Sequence, residues 1–247
     1  MPARFGVIFD MDGVLVDSAD AHRRAWQQLG AEVGVPFSAT LFERTFGQRN
    51  AEIIPAWLGA VTPQRSDALA QRKEALYRDL VRRGAVGVYR GVSGLLSQLL
   101  QLGAQLAVAS SGPRENVSLL IDTIGAGACI NVAVASEDVH QGKPHPEMFL
   151  TAAMRMAIAP GSCAVVEDSV HGIDAAKRAG MLAVAVLTST PRQQLLAAGA
   201  DCLVAEVGDI DPRQQLLAAG ADCLVAEVGD IDPRHLRRTI ETRAHPD

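Results

Sequence analysis

Residues 5–18 read FGVIFDMDGVLVDS, and this stretch decides the fold. Its first five residues are apolar apart from one glycine, the pattern of a strand buried on both faces of a parallel sheet. Asp10 and Asp12 follow at once, and Gly13 can relax the turn that leads away from them. Two carboxylates at the end of a buried strand can be an ordinary polar turn. They become a site if other strands bring reactive groups to the same edge.

Outward from that strand, the pattern is helical from residue 19 to about residue 85, with helices predicted at 19–33, 38–46, 51–58 and 63–83. Ser38 and Thr62 stand at N-cap positions, and Pro63 occupies the favoured first helical position. Beyond residue 91 strands at 106–109, 132–135, 164–166 and 182–187 alternate with helices at 92–102, 114–124, 146–156 and 170–179. Such alternation requires a parallel sheet with helices on both faces and right-handed crossovers. The expected fold is an α/β, doubly wound parallel sheet (Rossmann-like) core with an inserted all-helical cap domain. The core would comprise residues 1–16 and 87–247 and the cap residues 17–86, with linkers near 15–19 and 84–91. Ligands of open α/β sheets bind beyond the carboxyl ends of the strands.

The chain has 247 residues, 48% apolar and 21% charged, close to the soluble globular average. Aromatic residues make up 4%, so Leu, Val, Ile and Ala must fill the core. The longest aliphatic run, residues 181–187, is far short of the roughly 20 residues that span a bilayer, so no membrane association is expected. A net charge of −5 argues against a nucleic-acid partner held by bulk charge. Four cysteines without C-x-x-C spacing read as reduced thiols, and no secretory signal opens the chain, so the expected setting is cytoplasmic. The expected assembly is a monomer or small homo-oligomer.

One irregularity stands out. Residues 192–212 (RQQLLAAGADCLVAEVGDIDP) recur without change at 213–233. A solenoid needs three or more copies, and copies under selection diverge, so the repeat reads as a recent tandem duplication rather than an architecture. Each unit reads as a short helix (193–198), a turn at Gly199 and a short strand (202–206). The second copy either adds a unit at the sheet edge or loops out.

Three further strand ends carry reactive groups. The strand at 106–109 ends in Ser110-Ser111-Gly112 before a helix, which places hydroxyls and backbone N–H groups at a candidate anion site. Lys143 follows the next strand, in Gly142-Lys143-Pro144, and the strand at 164–166 ends in Glu167-Asp168-Ser169. Clustered carboxylates repel unless a hard cation sits among them, and Mg²⁺ accepts a few oxygen ligands plus substrate phosphate. The lysine and the helix start imply a dianionic ligand. Together these parts suit phosphoryl transfer, in which one carboxylate attacks phosphorus and its neighbour handles protons.

Residues 9–18 (FDMDGVLVDS), Ser110, residues 142–149 (GKPHPEMF) and residues 167–181 (EDSVHGIDAAKRAGM) closely resemble the four motifs of the haloacid dehalogenase-like hydrolase superfamily. The resemblance is to the branch of β-phosphoglucomutase and sugar-phosphate phosphatases and runs from about residue 4 to 212. It implies that Asp10 is the nucleophile and Asp12 the general acid/base, with Ser110, Ser111 and Lys143 on the phosphoryl group. It further implies Mg²⁺ held by Asp10, Asp168 and the carbonyl of Asp12, with Glu167 supporting the metal site. Relatives that cleave carbon–halogen bonds lack the second acid, so Asp12 points to phosphorus chemistry.

Substrate choice belongs to the cap. Arg49 and Asn50 lie in a loop between cap helices, where Arg49 could pair a substrate anion or sugar oxygens, or be a surface arginine. Lys73 matches a cap lysine of the mutase, while Phe46 and Asn50 replace that enzyme's cap lysine and phosphate-binding arginine. His22, one helical turn after Ser18, is a hinge or active-site contact, or a surface histidine. Trp26 reads as cap core; His145 and His171 are assigned no chemistry. The expected function is a Mg²⁺-dependent phosphatase of small phosphorylated metabolites, sugar phosphates foremost, with an aspartyl-phosphate intermediate. The alternatives are a β-phosphoglucomutase-like isomerase and, remotely, a phospho-acceptor signalling module, which is roughly half this length and has no cap.

Overall fold

The structure, a computed structural model, describes residues 5–212. The second copy of the repeat, with the end of the expected core, lies outside the described residues. In chain order the elements are β1 (Gly6–Phe9), β2 (Val16–Asp17), α1 (Ala19–Val33), α2 (Ala39–Thr45), α3 (Asn50–Leu58) and α4 (Pro63–Arg82). They continue with β3 (Gly87–Val88), α5 (Val92–Gln101), β4 (Gln105–Ala109), α6 (Arg114–Ile124), β5 (Val132–Val134) and α7 (Glu147–Met156). The last are β6 (Cys163–Glu167), α8 (Val170–Arg178), β7 (Leu182–Val186), α9 (Arg192–Ala197) and β8 (Cys202–Val204).

Six strands form a parallel sheet in the order β5-β4-β1-β6-β7-β8. The chain builds outward from β1 through β4 to β5, then returns to start β6 on the other side of β1. That reversal opens a crevice at the carboxyl end of β1, where the four motifs converge. Alternate residues of β1 feed opposite cores. Val7 and Phe9 pack with Leu96 and Leu99 of α5 and Leu120 of α6, whereas Ile8 packs with Met148 and Phe149 of α7 and Ile173 of α8. Both faces are covered, which is why these strands read as unbroken apolar runs rather than alternating ones.

The four-helix insertion packs mainly through α1 against α4. Trp26 is its core, as the sequence suggested, stacking on Phe37 at 4.8 Å and meeting the edge of Trp57 at 6.0 Å. Ser38 accepts the Leu41 N–H and Thr62 the Arg65 N–H, so both anticipated caps form. On α4 the buried stripe Leu69, Leu76, Tyr77, Leu80 is interrupted by Lys73 and Glu74, also buried. Charged residues on a buried stripe need partners, and these have them.

The segments at 15–19 and 84–91, where linkers are expected, run side by side. β2 and β3 pair antiparallel, Val16 opposite Val88 and Asp17 opposite Gly87. An insertion must leave and re-enter its host side by side, and two extended strands there satisfy each other's backbone groups. Pairs this short leave no periodic trace in a sequence. The first repeat copy forms α9 and β8 at the sheet edge, but the strand ends at Val204 rather than residue 206. Glu206 there opens a 3₁₀ turn, its N–H donating to Asp209 Oδ2 at 3.1 Å. Among the described residues no helix is long and apolar enough to cross a membrane.

Candidate active site

β1 ends at Phe9, and the Asp10 N–H still donates to Val166 O across the sheet, so the carboxylate leaves from a fixed backbone. Lys143 Nζ lies 2.5 Å from Asp10 Oδ1 and 2.7 Å from Glu167 Oε1. Glu167 Oε2 accepts from Asp168 N, Ser169 N and Ser169 Oγ at 2.8–2.9 Å, so its carboxylate is fully engaged in holding the lysine and its own loop. A Cβ at Gly172 would fall on that carboxylate, and one at Gly13 (φ +83°) would fall on that of Asp168. Glycine at these two positions is therefore a packing requirement of the acidic cluster.

Asp10, Glu167 and Asp168, all buried, each place a carboxylate oxygen within 4.8 Å of the others, a group able to hold a metal ion. Burial pushes Asp10 up to about 7 against the pull of Lys143, with Glu167 and Asp12 adding to the rise. Asp168 is raised by burial and by Glu167 and Asp10. Burial opposes the charge on Lys143 too, but Asp10 and Glu167 outweigh it and hold the ammonium charged. Three carboxylates face one ammonium, so a further cation is needed for all three to be ionised together.

Asp12 is bound to the insertion. Its Oδ1 accepts from Ser18 Oγ at 2.5 Å, lies 3.2 Å from His22 Nε2, and receives Tyr77 OH at 3.5 Å. His22 stacks on Tyr77 at 3.9 Å, and its Nδ1 faces Lys73 Nζ at 2.8 Å. An ammonium only donates, so Nδ1 accepts and the imidazole proton sits on Nε2, aimed at Asp12. Burial would raise Asp12, but His22, Ser18 and Lys73 reverse this and hold it at about 2.

Above these groups opens a cavity of about 820 Å³, lined by the acidic cluster, by Ser111-Gly112-Pro113 and by the insertion. The structure gathers Asp10, Asp12, Lys143, Glu167, Asp168, His22, Ser111, Arg49, Asn50 and Lys73 on its walls. Ser110 sits behind them, buried, its Oγ accepting the Gly112 N–H at 3.1 Å. At the helix start expected as an anion site one N–H is already used: Arg114 N donates to both oxygens of Glu137 at 3.0 Å. Glu137 is distant in sequence and gave no sign of this role.

The insertion's candidates divide. Asn50 Nδ2 and Lys73 Nζ are tied to Glu74 Oε1 at 2.7 and 2.9 Å, so neither projects freely into the cavity. Arg49 differs: Nη1 donates to His140 O at 3.3 Å, and Nε and Nη2 are buried without a partner. Its guanidinium lies against Gly142, the neighbour of Lys143, where a Cβ would collide with it. Sequence reasoning missed Glu74, Asn116 and Thr188, whose Oγ1 donates to Gly13 O at 2.5 Å. A glutamate and an asparagine on amphipathic helices resemble any solvated pair until the helices are packed.

With this geometry in place, comparison with known proteins is decisive. The sequence profile of haloacid dehalogenase-like hydrolases matches residues 6–180. The chain is a haloacid dehalogenase-like hydrolase. Validoxylamine A 7'-phosphate phosphatase of Streptomyces hygroscopicus subsp. limoneus is 32% identical to this hydrolase over 203 residues, covering 82% of this chain and 94% of that protein. β-Phosphoglucomutase of Bacillus subtilis is also 32% identical, over 211 residues and 83% and 90% of the two chains. In fold, the hydrolase matches CbbY from Rhodobacter sphaeroides, crystallised with phosphate, at TM-score 0.76 and 24% identity over 85% and 96% of the chains. The resemblance carried by the four motifs is thus a membership, and the Rossmann-like core with its helical cap is the fold of the family's solved members.

Proposed function

We propose that this hydrolase is a phosphatase of small phosphorylated metabolites, sugar phosphates foremost, which works with Mg²⁺ through a phosphoaspartate on Asp10. The observation that carries the reading is the Asp10–Lys143 pair beside Asp168, at the floor of a metabolite-sized cavity. Mg²⁺ fits the residues present: the donors are hard oxygens, and three carboxylates share a single ammonium, that of Lys143. Asp10, Asp168 and the main-chain carbonyl of Asp12 would hold the ion, leaving Glu167 to fix Lys143. When bound, Mg²⁺ supplies charge neutralisation at the transferring phosphoryl group.

The chain's own residues do the rest. Lys143 orients the phosphoryl oxygens and favours the ionised form of Asp10 for attack, while Ser111, on the cavity wall, brackets the anion with its N–H and hydroxyl. Asp10 Oδ bonds to phosphorus as the bond to the ester oxygen breaks, and Asp12, ionised in the free protein, takes up a proton from solvent as substrate binds and passes it to that oxygen. Asp12, now a carboxylate, takes a proton from water. The resulting hydroxide displaces Asp10 from phosphorus and frees inorganic phosphate. The His22 N–H at Asp12 favours the ionised state needed for this second step. The acidic wall residues Glu43, Asp67 and Glu115 suit hydroxyl-bearing substrates, which donate hydrogen bonds to carboxylates. A cytoplasmic setting and small-molecule partners complete the reading.

The test is phosphate release from a panel of phosphorylated metabolites with added Mg²⁺. Release should vanish with EDTA and in Asp10→Asn; turnover that survives either one refutes the mechanism. A second reading, a phosphosugar mutase, is favoured by the unpartnered nitrogens of Arg49, which could hold a second phosphate. β-Glucose 1-phosphate with a trace of the 1,6-bisphosphate separates the two, because a mutase yields glucose 6-phosphate without free phosphate.

A further inference from the structure

Glu74 lies on α4 of the insertion, buried, with both carboxylate oxygens in use. Oε1 accepts from Asn50 Nδ2 at 2.7 Å and Lys73 Nζ at 2.9 Å, both in the insertion. Oε2 accepts from Asn116 Nδ2 at 2.5 Å, and Asn116 belongs to α6 of the core. Asn116 is buried as well, and its Oδ1 receives Arg78 Nη1 at 3.1 Å. Arg78, again from α4, also pairs with Glu115 of α6 at 2.9 Å. Asn116 therefore bridges two residues one helical turn apart on α4, giving a proton to one and taking one from the other.

Two features separate this cluster from an ordinary surface network. A carboxylate buried between helices is costly unless every lone pair is used, and here it stays ionised. Burial alone would raise Glu74, but Lys73 and His22, with the Asn50 and Lys73 hydrogen bonds, bring it below its ordinary value. The cluster is also polar-directional. Lys73 and Asn50 only donate, which demands an oxygen at Oε1; Arg78 only donates, which demands an oxygen at Oδ1 of Asn116. The amide of Asn116 cannot turn over without setting its NH₂ against the guanidinium.

We infer that Glu74 is the positioning residue that seats the insertion on the core: one oxygen orients Lys73, and through it His22 beside Asp12, while the other takes Asn116 from α6. It touches neither Asp10 nor Asp12. It sets where the wall carrying His22 and Arg49 stands relative to the strand ends that hold Asp10 and Lys143. The seated arrangement is the one with the cavity complete, so losing the latch lowers the fraction of molecules competent to bind substrate and leaves the chemistry within them intact.

The directionality supplies the test, a polarity swap. In Glu74→Gln the oxygen stays with Lys73 and Asn50, so the new NH₂ opposes that of Asn116. In Asn116→Asp two carboxylates face each other. In the double variant the amide at 74 donates to the carboxylate at 116, which still accepts from Arg78, and complementarity returns. Each single variant should raise KM about tenfold with kcat within about threefold, and the double should return KM to within about threefold of the parent. Two substitutions that merely loosen the fold would add their losses. Additive KM losses, or an unchanged KM in Glu74→Gln, overturn the inference.

The kinetic arm rests on the phosphatase reading, so backbone hydrogen exchange in residues 74–82 and 114–118 is measured without substrate alongside it. Faster exchange in both singles and restored protection in the double uphold the latch even if no phosphoester is turned over, in which case the functional reading alone falls. Additive loss of protection in the double overturns the latch, whatever the kinetics of the parent.

Discussion

Lys143 Nζ stands 2.5 Å from Asp10 Oδ1, although the two residues are separated by 133 positions in the chain. The lysine is buried, and its second oxygen partner, Glu167, is spent on hydrogen bonds to its own loop. Asp10 thus depends on one cation for its charge. Lys143→Met should lower kcat/KM for a phosphomonoester by at least about a hundredfold, since one preorganised donor is typically worth that much. It should also reduce stability at pH 7 by about 3 kcal/mol, because the carboxylates lose their buried partner. Steady-state kinetics and a urea melt measure the two effects.

The unmatched carboxylates give Mg²⁺ a stability signature independent of turnover. Mg²⁺ at about a hundred times its Kd should stabilise the fold by about 2.7 kcal/mol, and EDTA should remove the gain. Asp168→Asn should abolish most of this response. A thermal melt of Asp168→Asn that still rises with Mg²⁺ as the parent's does would place the ion elsewhere.

Gly172 is the third residue of α8, where alanine ordinarily favours a helix. Here a Cβ collides with the Glu167 carboxylate. Gly172→Ala should therefore destabilise by about 2 kcal/mol, as overpacked sites do, and should displace Lys143 enough to lower kcat. An alanine variant as stable and active as the parent would contradict the packing described for Glu167.

Asp138 predicts a pH effect on stability away from the site. Its Oδ1 accepts from Arg114 and Arg155 at 2.6 Å, and its Oδ2 from Ala135 N at 2.9 Å. Arg155 foremost, with Ala135 and Arg114 adding and burial opposing, holds its carboxyl well below the usual range. A depressed folded-state value means stability that is present above the unfolded value, about 3.9, and is lost as pH falls below it. Asp138→Asn should cost about 2 kcal/mol at pH 7, and the gap from the parent should close progressively below about pH 4. Denaturant melts of both proteins across that range provide the check.

The duplicated block gives a last prediction. Because residues 192–212 and 213–233 are identical, deleting either yields the same chain, and the copy that forms α9 and β8 at the sheet edge is retained. All the proposed catalytic residues precede it. Deletion should leave kcat/KM within about twofold and stability equal or higher, since the 21 residues removed repeat ones that are retained and include none of the proposed catalytic residues. A large loss of activity would show that the second copy contributes to the site.

Much of the core was legible because each of its parts is a local pattern. An apolar run ending in Asp10-x-Asp12, a lysine in Gly142-Lys143-Pro144 and an acidic pair at Glu167-Asp168 can each be read within a few residues. The β/α alternation then requires a parallel sheet whose strand ends converge. Trp26 was legible as cap core for a similar reason, since its helical spacing sets it among apolar neighbours. The short β2–β3 ribbon was not, because two-residue strands have no period to read.

The order of the chain by itself determined the parallel sheet, the place of the helical insertion and the acids and lysine that share one edge, because backbone periodicity and strand-end position are local properties. Only the tertiary structure decided which polar groups are spent and which remain available. Asn50 and Lys73 are held by Glu74, the Arg114 N–H at the start of α6 is taken by Glu137, and Arg49 keeps two buried nitrogens unpartnered. Those outcomes depend on hydrogen-bond partners up to 91 residues away, and burial makes each pairing exclusive, since a buried donor or acceptor committed to one partner has no water to offer it another.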